Sequence, residues 1–227
     1  MSDETREPQY QRCLEHRQRF GNAGLGLMTS YAWHHDPRHL LFTLARYKFV
    51  AKILSGARRV LEVGCSDGFA SRIVQQEVGS LVAVDFDPVF VRDAQERMQD
   101  PWRFDCRVHD LLAGPIAESF DAAYSIDVLE HIAPADEARF LGNLVASLAP
   151  HASVVVGTPS IESQVHASVA SREGHVNCHA GPGLKQTLLG YFESVVVFSM
   201  NDEVVHTGYA PMAHYLMAVC HRPRQNP

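Results

Sequence analysis

The sequence feature that most constrains the fold is a glycine-rich turn between a short apolar run and a helix-like stretch. The run Val60-Leu-Glu-Val63 leads directly into Gly64-Cys-Ser66-Asp-Gly68. Glycine lets the backbone adopt conformations, and lets a ligand approach the chain closely, in ways that other residues resist. The N-terminus of the following helix adds unpaired N–H groups. The turn therefore predicts a ligand-binding loop at the carboxyl end of a strand.

Strands and helices alternate through the rest of the chain. Helical segments are predicted between most of the strands, which are expected near 60–63, 81–85, 102–108, 120–125, 153–157, 194–199 and 214–220. This alternation is typical of a mainly parallel sheet covered by helices on both faces. The last two strands leave little room for a crossover helix, so they are predicted to be antiparallel. The expected fold class is α/β, a Rossmann-like, seven-stranded, mostly parallel sheet with a C-terminal antiparallel hairpin and an N-terminal helical segment.

The chain is expected to divide into two parts. Residues 1–56 form the N-terminal helical or lid segment, and residues 57–222 form the core. Apolar positions from His39 to Leu54 fit a helix, which Gly56 ends. Residues 1–39 are polar and are expected to be irregular.

The composition excludes several classes of protein. At 46% hydrophobic residues the chain can bury a core, and its formal charge of −6 without a basic stripe argues against nucleic acid. The five scattered cysteines contain no C-x-x-C pair, which favours reduced thiols and a cytoplasmic location. No apolar run reaches the roughly 18 residues of a membrane span, and the N-terminus is charged rather than apolar. We expect neither a nucleic acid nor a membrane partner.

The glycine-rich turn has three possible interpretations. A dinucleotide fingerprint requires G-x-G-x-x-G, but Ser66 and Phe69 stand at the second and third glycine positions. The pattern Gly64-x-Ser66-x-Gly68 also matches the G-x-S-x-G elbow of hydrolases, which would make Ser66 a nucleophile. That elbow normally follows several strands, whereas only a helical segment precedes this one.

Acidic residues after the following strands favour the third interpretation, in which the turn binds a nucleoside-containing cofactor. Asp85 ends the next strand, where a carboxylate can accept both hydroxyls of a ribose. His109-Asp110 ends the third strand, where the carboxylate could take an adenine amino group. The alternative role for Asp110 is a helix N-cap. The block Asp127-Val-Leu-Glu-His-Ile132 follows the fourth strand.

Together these motifs resemble the ordered motifs of class I S-adenosylmethionine-dependent methyltransferases. The Asp127–Ile132 block is similar to bacterial small-molecule members, such as the ubiquinone-biosynthesis O-methyltransferase group. The resemblance covers residues 57–160 well and 160–222 more loosely. Ser66 departs from the family, which usually has glycine there.

The resemblance implies S-adenosyl-L-methionine as the cofactor and assigns roles to matching positions. The glycine-rich turn would pass close to the methionine part, Asp85 would hold the ribose, and Phe86 and Asp110 would contact the adenine. The full set of implied cofactor residues is Glu62, Gly64, Cys65, Ser66, Gly68, Asp85, Phe86, His109, Asp110, Ser125, Asp127 and Arg46.

The expected reaction is methyl transfer to a small-molecule acceptor, with a hydroxyl oxygen preferred and a histidine as base. Histidine titrates in the range that such proton transfer needs. The candidate bases are His131, His175 and His206. An amine acceptor is the alternative, because an amine needs no strong base once it is deprotonated. A more distant alternative is a protein that binds the cofactor without turnover.

Polar and aromatic residues near the carboxyl edge of the sheet are the candidates for acceptor binding. They are Tyr31, Trp33, His34, Asn177, Asn201, Glu203 and Tyr209. The H-x-x-x-H pairs His35/His39 and His175/His179 do not lie in convincing helices, so no metal is predicted. The 158–182 segment fits either a lid or a homodimer contact, and the sequence does not separate the two.

Overall fold

A single mixed sheet organises the computed structural model, which describes residues 4–99 and 102–224. Within these residues the sheet has eight strands in the order β3-β2-β1-β4-β5-β8-β6-β7. The strands are β1 Arg59–Val63, β2 Ser80–Asp85, β3 Asp105–Val108, β4 Phe120–Ile126, β5 Leu148–Pro159, β6 Phe192–Asn201, β7 Val204–His206 and β8 Tyr215–Pro223.

Helices precede the sheet and connect its parallel strands. They are α1 Gln11–Phe20, α2 Leu27–His35, α3 Pro37–Ile53, α4 Ser71–Gln75, α5 Pro88–Arg97, α6 Glu137–Ala146, α7 Val169–Gly174 and α8 Gly181–Leu189. Among the residues described, no helix combines the length and apolar character needed to cross a bilayer.

The predicted α/β class and the C-terminal antiparallel pairing are confirmed. Strands β1 to β5 pair in parallel, whereas β8 runs antiparallel to both β5 and β6. The predicted number of seven strands is wrong, because the residues after β6 form the additional strand β7. Asp202 adopts a positive φ of 50° at the turn, which lets the chain reverse within two residues. The pattern there is too short to distinguish a three-residue strand from a loop.

The expectation that residues 1–39 are irregular is also wrong, because α1 and α2 lie within them. Neither helix has a fully buried residue, so the apolar periodicity that normally marks a helix is weak. The boundary between α2 and α3 is set locally. The side chain of Asp36 accepts a hydrogen bond from the Arg38 N–H at 3.1 Å, and Pro37 occupies the first helical turn.

The sheet buries apolar side chains on both faces, and this arrangement positions one carboxylate. On one face Leu61 packs in the same cluster as Leu144 of α6 and Leu184 of α8. On the other face Val60 packs with Tyr47 of α3. Because side chains alternate along a strand, Glu62 shares the face of Val60 and is directed toward α3.

Candidate functional site

The glycine-rich turn after β1 is held in a left-handed backbone conformation. Gly64, Ser66 and Gly68 have φ values of 81°, 48° and 65°. A Cβ on Gly64 would collide with the side chain of Val128, which follows β4. Ser66 therefore takes a conformation that costs a residue with a Cβ about 1–2 kcal/mol, which explains why glycine is usual at this position in the family that the sequence resembles.

Asp85 anchors this turn from the end of β2. Its carboxylate is 8% exposed, with Oδ2 accepting from the Ser66 N–H at 2.8 Å and Oδ1 from the Asp87 N–H at 2.9 Å. A carboxylate has about four acceptor positions, so two remain for ribose hydroxyls. The adjacent Phe86 ring is 73% exposed and is available to cover an adenine.

The residues after β3 have local partners. Asp110 is exposed, and its Oδ1 accepts from the Leu112 N–H at 2.8 Å at the start of a turn, whereas the alternative role required a helix there. The second carboxylate oxygen of Asp110 can still accept from an adenine amino group. The His109 ring bonds the Gly114 carbonyl through Nε2 at 2.9 Å, so His109 orders the loop beside this position.

Buried polar atoms without partners surround the turn. Among the described residues the Ser66 hydroxyl, the Ser125 hydroxyl and Glu62 Oε2 are buried and have no hydrogen-bond partner. Leaving such a group unsatisfied costs about 1–3 kcal/mol. A polar ligand seated on the turn would supply the missing bonds, and the zwitterionic, hydroxyl-rich S-adenosylmethionine fits this requirement.

Arg46 and Asp127 form an ion pair across the carboxyl ends of the central strands. Arg46 lies on α3, and its Nη1 donates to both Asp127 oxygens at 2.9 and 2.7 Å. The guanidinium carbon lies 3.8 Å from the ring centroid of Tyr215 on β8. The pair therefore joins α3, the segment after β4 and β8 at one place, next to the glycine-rich turn.

Glu62 is a buried carboxyl beneath the turn. It is 1% exposed and accepts from the Tyr47 hydroxyl at 2.8 Å. Burial raises the pKa of Glu62 to about 7, although the hydrogen bond from Tyr47 acts in the opposite direction. Near neutral pH this carboxyl is therefore populated in both its protonated and its ionised form.

The Glu62→Gln variant is expected to change the pH dependence of stability. With a folded-state pKa of about 7 against an ordinary value of 4.5, the folded protein retains a proton that the unfolded chain releases between these pH values. Stability contributed by the neutral carboxyl is therefore lost as pH rises through this window, by about 3 kcal/mol in total. Urea unfolding at pH 5 and pH 8 should show that the variant gains stability relative to wild type at pH 8. An unchanged difference between the two proteins across this range would contradict the prediction.

A second group of polar side chains follows β4. Glu130 is 1% exposed and accepts from the Thr158 hydroxyl at 3.2 Å, and burial raises its pKa to about 8 with a further contribution from Asp127. The ring centroids of His131 and His175 lie 5.2 Å apart. Burial lowers the pKa of His175, which favours its neutral form. The structure therefore brings two of the three predicted histidines together.

The third histidine lies elsewhere with the other residues of the β6–β7 hairpin. His206 Nε2 bonds the Asn201 side chain and Nδ1 accepts from the Gly208 N–H, each at 2.9 Å, so both ring nitrogens have partners. Strands lie about 4.8 Å apart, which puts β6 about 14 Å and β7 about 19 Å from β4. Glu203 and Tyr209 belong to the same edge and are exposed.

The predicted acceptor residues of α2 are exposed, whereas Asn177 is not. Tyr31, Trp33 and His34 all lie on the outer surface of α2. The Asn177 amide donates to Glu137 Oε2 at 2.7 Å.

Sequence reasoning assigned no role to two buried acidic residues near the site. Asp67, within the glycine-rich turn, accepts from the N–H and hydroxyl of Thr29 at 2.7 and 3.1 Å, and so fastens α2 to the turn. Glu130 is the other residue. Its position next to His131 in the sequence was the signal that could have identified it as a site residue. A cavity of about 370 Å³ is lined by Asp67, Gly68 and residues of α1 and α5.

Comparison with known proteins supports the cofactor-binding interpretation of this edge. Residues 60–151 match the family model described as a methyltransferase domain. A probable S-adenosylmethionine-dependent methyltransferase of Mycolicibacterium smegmatis is 28% identical over 104 residues, which are 45% of this chain and 38% of the relative. The chain thus spans well under half of the curated relative that it matches.

Solved structures share the fold. The N-methyltransferase NodS from Bradyrhizobium japonicum, in complex with S-adenosylhomocysteine, matches with a TM-score of 0.60 at 19% identity, covering 82% of this chain and 87% of NodS. The methyltransferase domain of bacterial CtHen1-C matches with a TM-score of 0.66 at 18% identity, covering 81% of this chain and 100% of that domain. These findings agree with the resemblance: residues 60–151 match a methyltransferase domain, and the chain shares the fold of S-adenosylmethionine-dependent methyltransferases.

Proposed function

We propose that this protein transfers a methyl group from S-adenosylmethionine to a hydroxyl oxygen of a small-molecule acceptor. The observation that carries the proposal is the edge at the carboxyl ends of β1, β2 and β4. There, unpartnered buried hydroxyls and the Asp85 carboxylate face the glycine-rich turn, and the His131–His175 pair follows β4. Ligands of open parallel sheets bind at this edge.

The binding roles follow from the contacts of each residue. When bound, the cofactor supplies an electrophilic methyl group on a sulfonium. Asp85 accepts hydrogen bonds from the ribose hydroxyls and keeps its hydrogen bond from the Ser66 N–H. The hydroxyls of Ser66 and Ser125 gain the partners that they lack in the free protein. Phe86 covers one adenine face, and the free oxygen of Asp110 accepts from the adenine amino group.

Activation of the acceptor is assigned to His131 and His175. A hydroxyl is a poor nucleophile until its proton is removed, and each of these rings has an Nε2 atom free to take part. Their Nδ1 atoms are bonded to carbonyl oxygens of Gly174 and Gln164. His206, with both nitrogens in hydrogen bonds, is not assigned this role.

Methylation of a small amine is the second candidate. The observation in its favour is the shared fold with NodS, which is described as an N-methyltransferase. A neutral amine already presents a lone pair, so loss of both histidines would leave transfer to nitrogen largely intact. Transfer of labelled methyl to matched hydroxyl and amine acceptors, with the His131 and His175 variants, separates the two candidates.

The first test is thermal unfolding with S-adenosylhomocysteine, with NAD as the control ligand. A ligand at about 100 times its dissociation constant stabilises a protein by about 2.7 kcal/mol. For a domain of this size we expect Tm to rise by about 5–10 °C. NAD should leave Tm unchanged, because the turn has only one of the three glycines of a dinucleotide loop. No rise at saturating S-adenosylhomocysteine would overturn the proposed function.

A further inference from the structure

Glu130, His131 and His175 come from two segments that are fastened to each other. The first two residues belong to the short 3-10 turn after β4, and His175 follows α7. The N–H groups of Val176 and Asn177 both donate to the Glu130 carbonyl, at 2.8 and 3.0 Å. These backbone hydrogen bonds therefore hold together the two segments that carry the three side chains.

Both histidine rings are oriented by a hydrogen bond on the same nitrogen. His131 Nδ1 lies 2.9 Å from the carbonyl of Gly174, and His175 Nδ1 lies 2.9 Å from the side-chain oxygen of Gln164. A carbonyl oxygen only accepts, so each Nδ1 carries the proton and each Nε2 carries a lone pair. Metal-binding histidines are characteristically fixed in this way.

The third ligand is a buried carboxylate. Glu130 is 1% exposed, and its side chain accepts a hydrogen bond from the hydroxyl of Thr158. One ligand atom each of Glu130, His131 and His175 lie within 4.8 Å of one another. Ligands at bond lengths of about 2.1 Å stand roughly 3–3.5 Å apart, so small side-chain rotations close the set around one ion.

The charges near these residues are compatible with a cation. Arg46 acts electrostatically on Glu130, but its Nη1 contacts both carboxylate oxygens of Asp127. Among the described residues, Arg46 forms its direct ion pair with Asp127 and not with Glu130. A bound cation would compensate the burial of its negative charge.

We propose that Glu130, His131 and His175 bind a divalent transition-metal ion, with open positions that take the hydroxyl oxygen of the acceptor. Two imidazoles and one carboxylate favour ions such as Zn²⁺, Co²⁺ and Mn²⁺ over Mg²⁺, which prefers oxygen ligands. The acceptor role rests on the proposed function, whereas the ion site does not. With an ion bound, the two histidines would act as its ligands in place of acting as bases, and the ion would promote release of the hydroxyl proton to solvent. This site departs from the expectation that no metal binds.

Titration of tag-free, chelator-treated protein with Co²⁺, followed by visible absorption and calorimetry, tests the site. We expect one ion per chain, bound more tightly than Mg²⁺. His131→Asn and His175→Asn retain a donor near the Nδ1 position but lose Nε2, and Glu130→Gln retains the shape of the carboxylate. Each variant should weaken Co²⁺ binding by at least about 10- to 100-fold. The control is His151→Asn, at the opposite end of β5, which should bind Co²⁺ like wild type.

The outcomes separate this inference from the proposed function. Co²⁺ affinity that is unchanged in the folded His131→Asn and His175→Asn proteins would overturn the ion site, as would binding no tighter than that of Mg²⁺. The S-adenosylhomocysteine shift is measured on the same samples. A thermal shift without Co²⁺ binding removes the ion site alone. Co²⁺ binding without the thermal shift removes the methyltransferase function and leaves the ion site standing.

Discussion

The Asp85→Asn variant is expected to bind S-adenosylhomocysteine about 100-fold more weakly than wild type. The substitution removes the charge that strengthens hydrogen bonds from two ribose hydroxyls, each worth about 1.5–3 kcal/mol. It also leaves one amide oxygen to serve the N–H groups of both Ser66 and Asp87. A total loss of about 3 kcal/mol corresponds to roughly 100-fold in the dissociation constant. Isothermal titration calorimetry measures the effect directly.

The matched control for Asp85→Asn is Asp105→Asn at the start of the neighbouring strand β3. Asp105 is exposed and pairs with Arg107, away from the glycine-rich turn. Its variant should keep wild-type affinity. If the folded Asp85→Asn protein bound as tightly as wild type, the carboxylate would not hold the ribose, and the assignment of this edge would fail.

The Gly64→Ala variant is expected to lose about 2–5 kcal/mol of unfolding free energy. Two costs add at this position: a positive φ of 81° in a residue with a Cβ, and a collision with Val128. The first costs about 1–2 kcal/mol and overpacking costs about 1–3 kcal/mol. Urea unfolding, with the midpoint and slope compared to wild type, gives the loss.

Two further variants separate the costs at Gly64. Gly56→Ala has nearly the same φ, 82°, but a Cβ there would meet nothing within 4 Å, so it should lose only about 1 kcal/mol. Adding Val128→Ala to Gly64→Ala removes the collision and should recover part of the loss beyond the sum of the single effects. Equal losses in Gly64→Ala and Gly56→Ala would show that the contact with Val128 carries no cost.

The fold and the cofactor edge were accessible from the sequence because their determinants are local. Runs such as Val60–Val63 and the turn that follows them are contiguous, and each predicts its own element without knowledge of the rest. Parallel strands place their carboxyl ends at one edge, so Asp85 and Asp127 were expected near the glycine-rich turn. The helices α1 and α2 were missed because no buried face marks them.

Distances along that edge could not be predicted from the sequence. The rule that ligands bind at the carboxyl ends of parallel strands says at which edge a residue lies, but not the order of the strands across the sheet. The strand order β4-β5-β8-β6-β7 separates His206 from His131 by several strand spacings, although the rule places both at the same edge. Residues of the β6–β7 hairpin were therefore grouped with the site in the sequence prediction, whereas the structure puts them at the far end of the sheet.

The sequence by itself determined the α/β class, the binding turn and the acidic strand ends, since each follows from short-range pattern and backbone geometry. Only the tertiary structure decided which distant residues meet. Arg46 and Asp127 are 81 positions apart, and His131 bonds Gly174 from 43 positions away. These contacts depend on how α3 and the segment after α7 pack against the sheet, and that packing is set by long-range burial that no local pattern encodes.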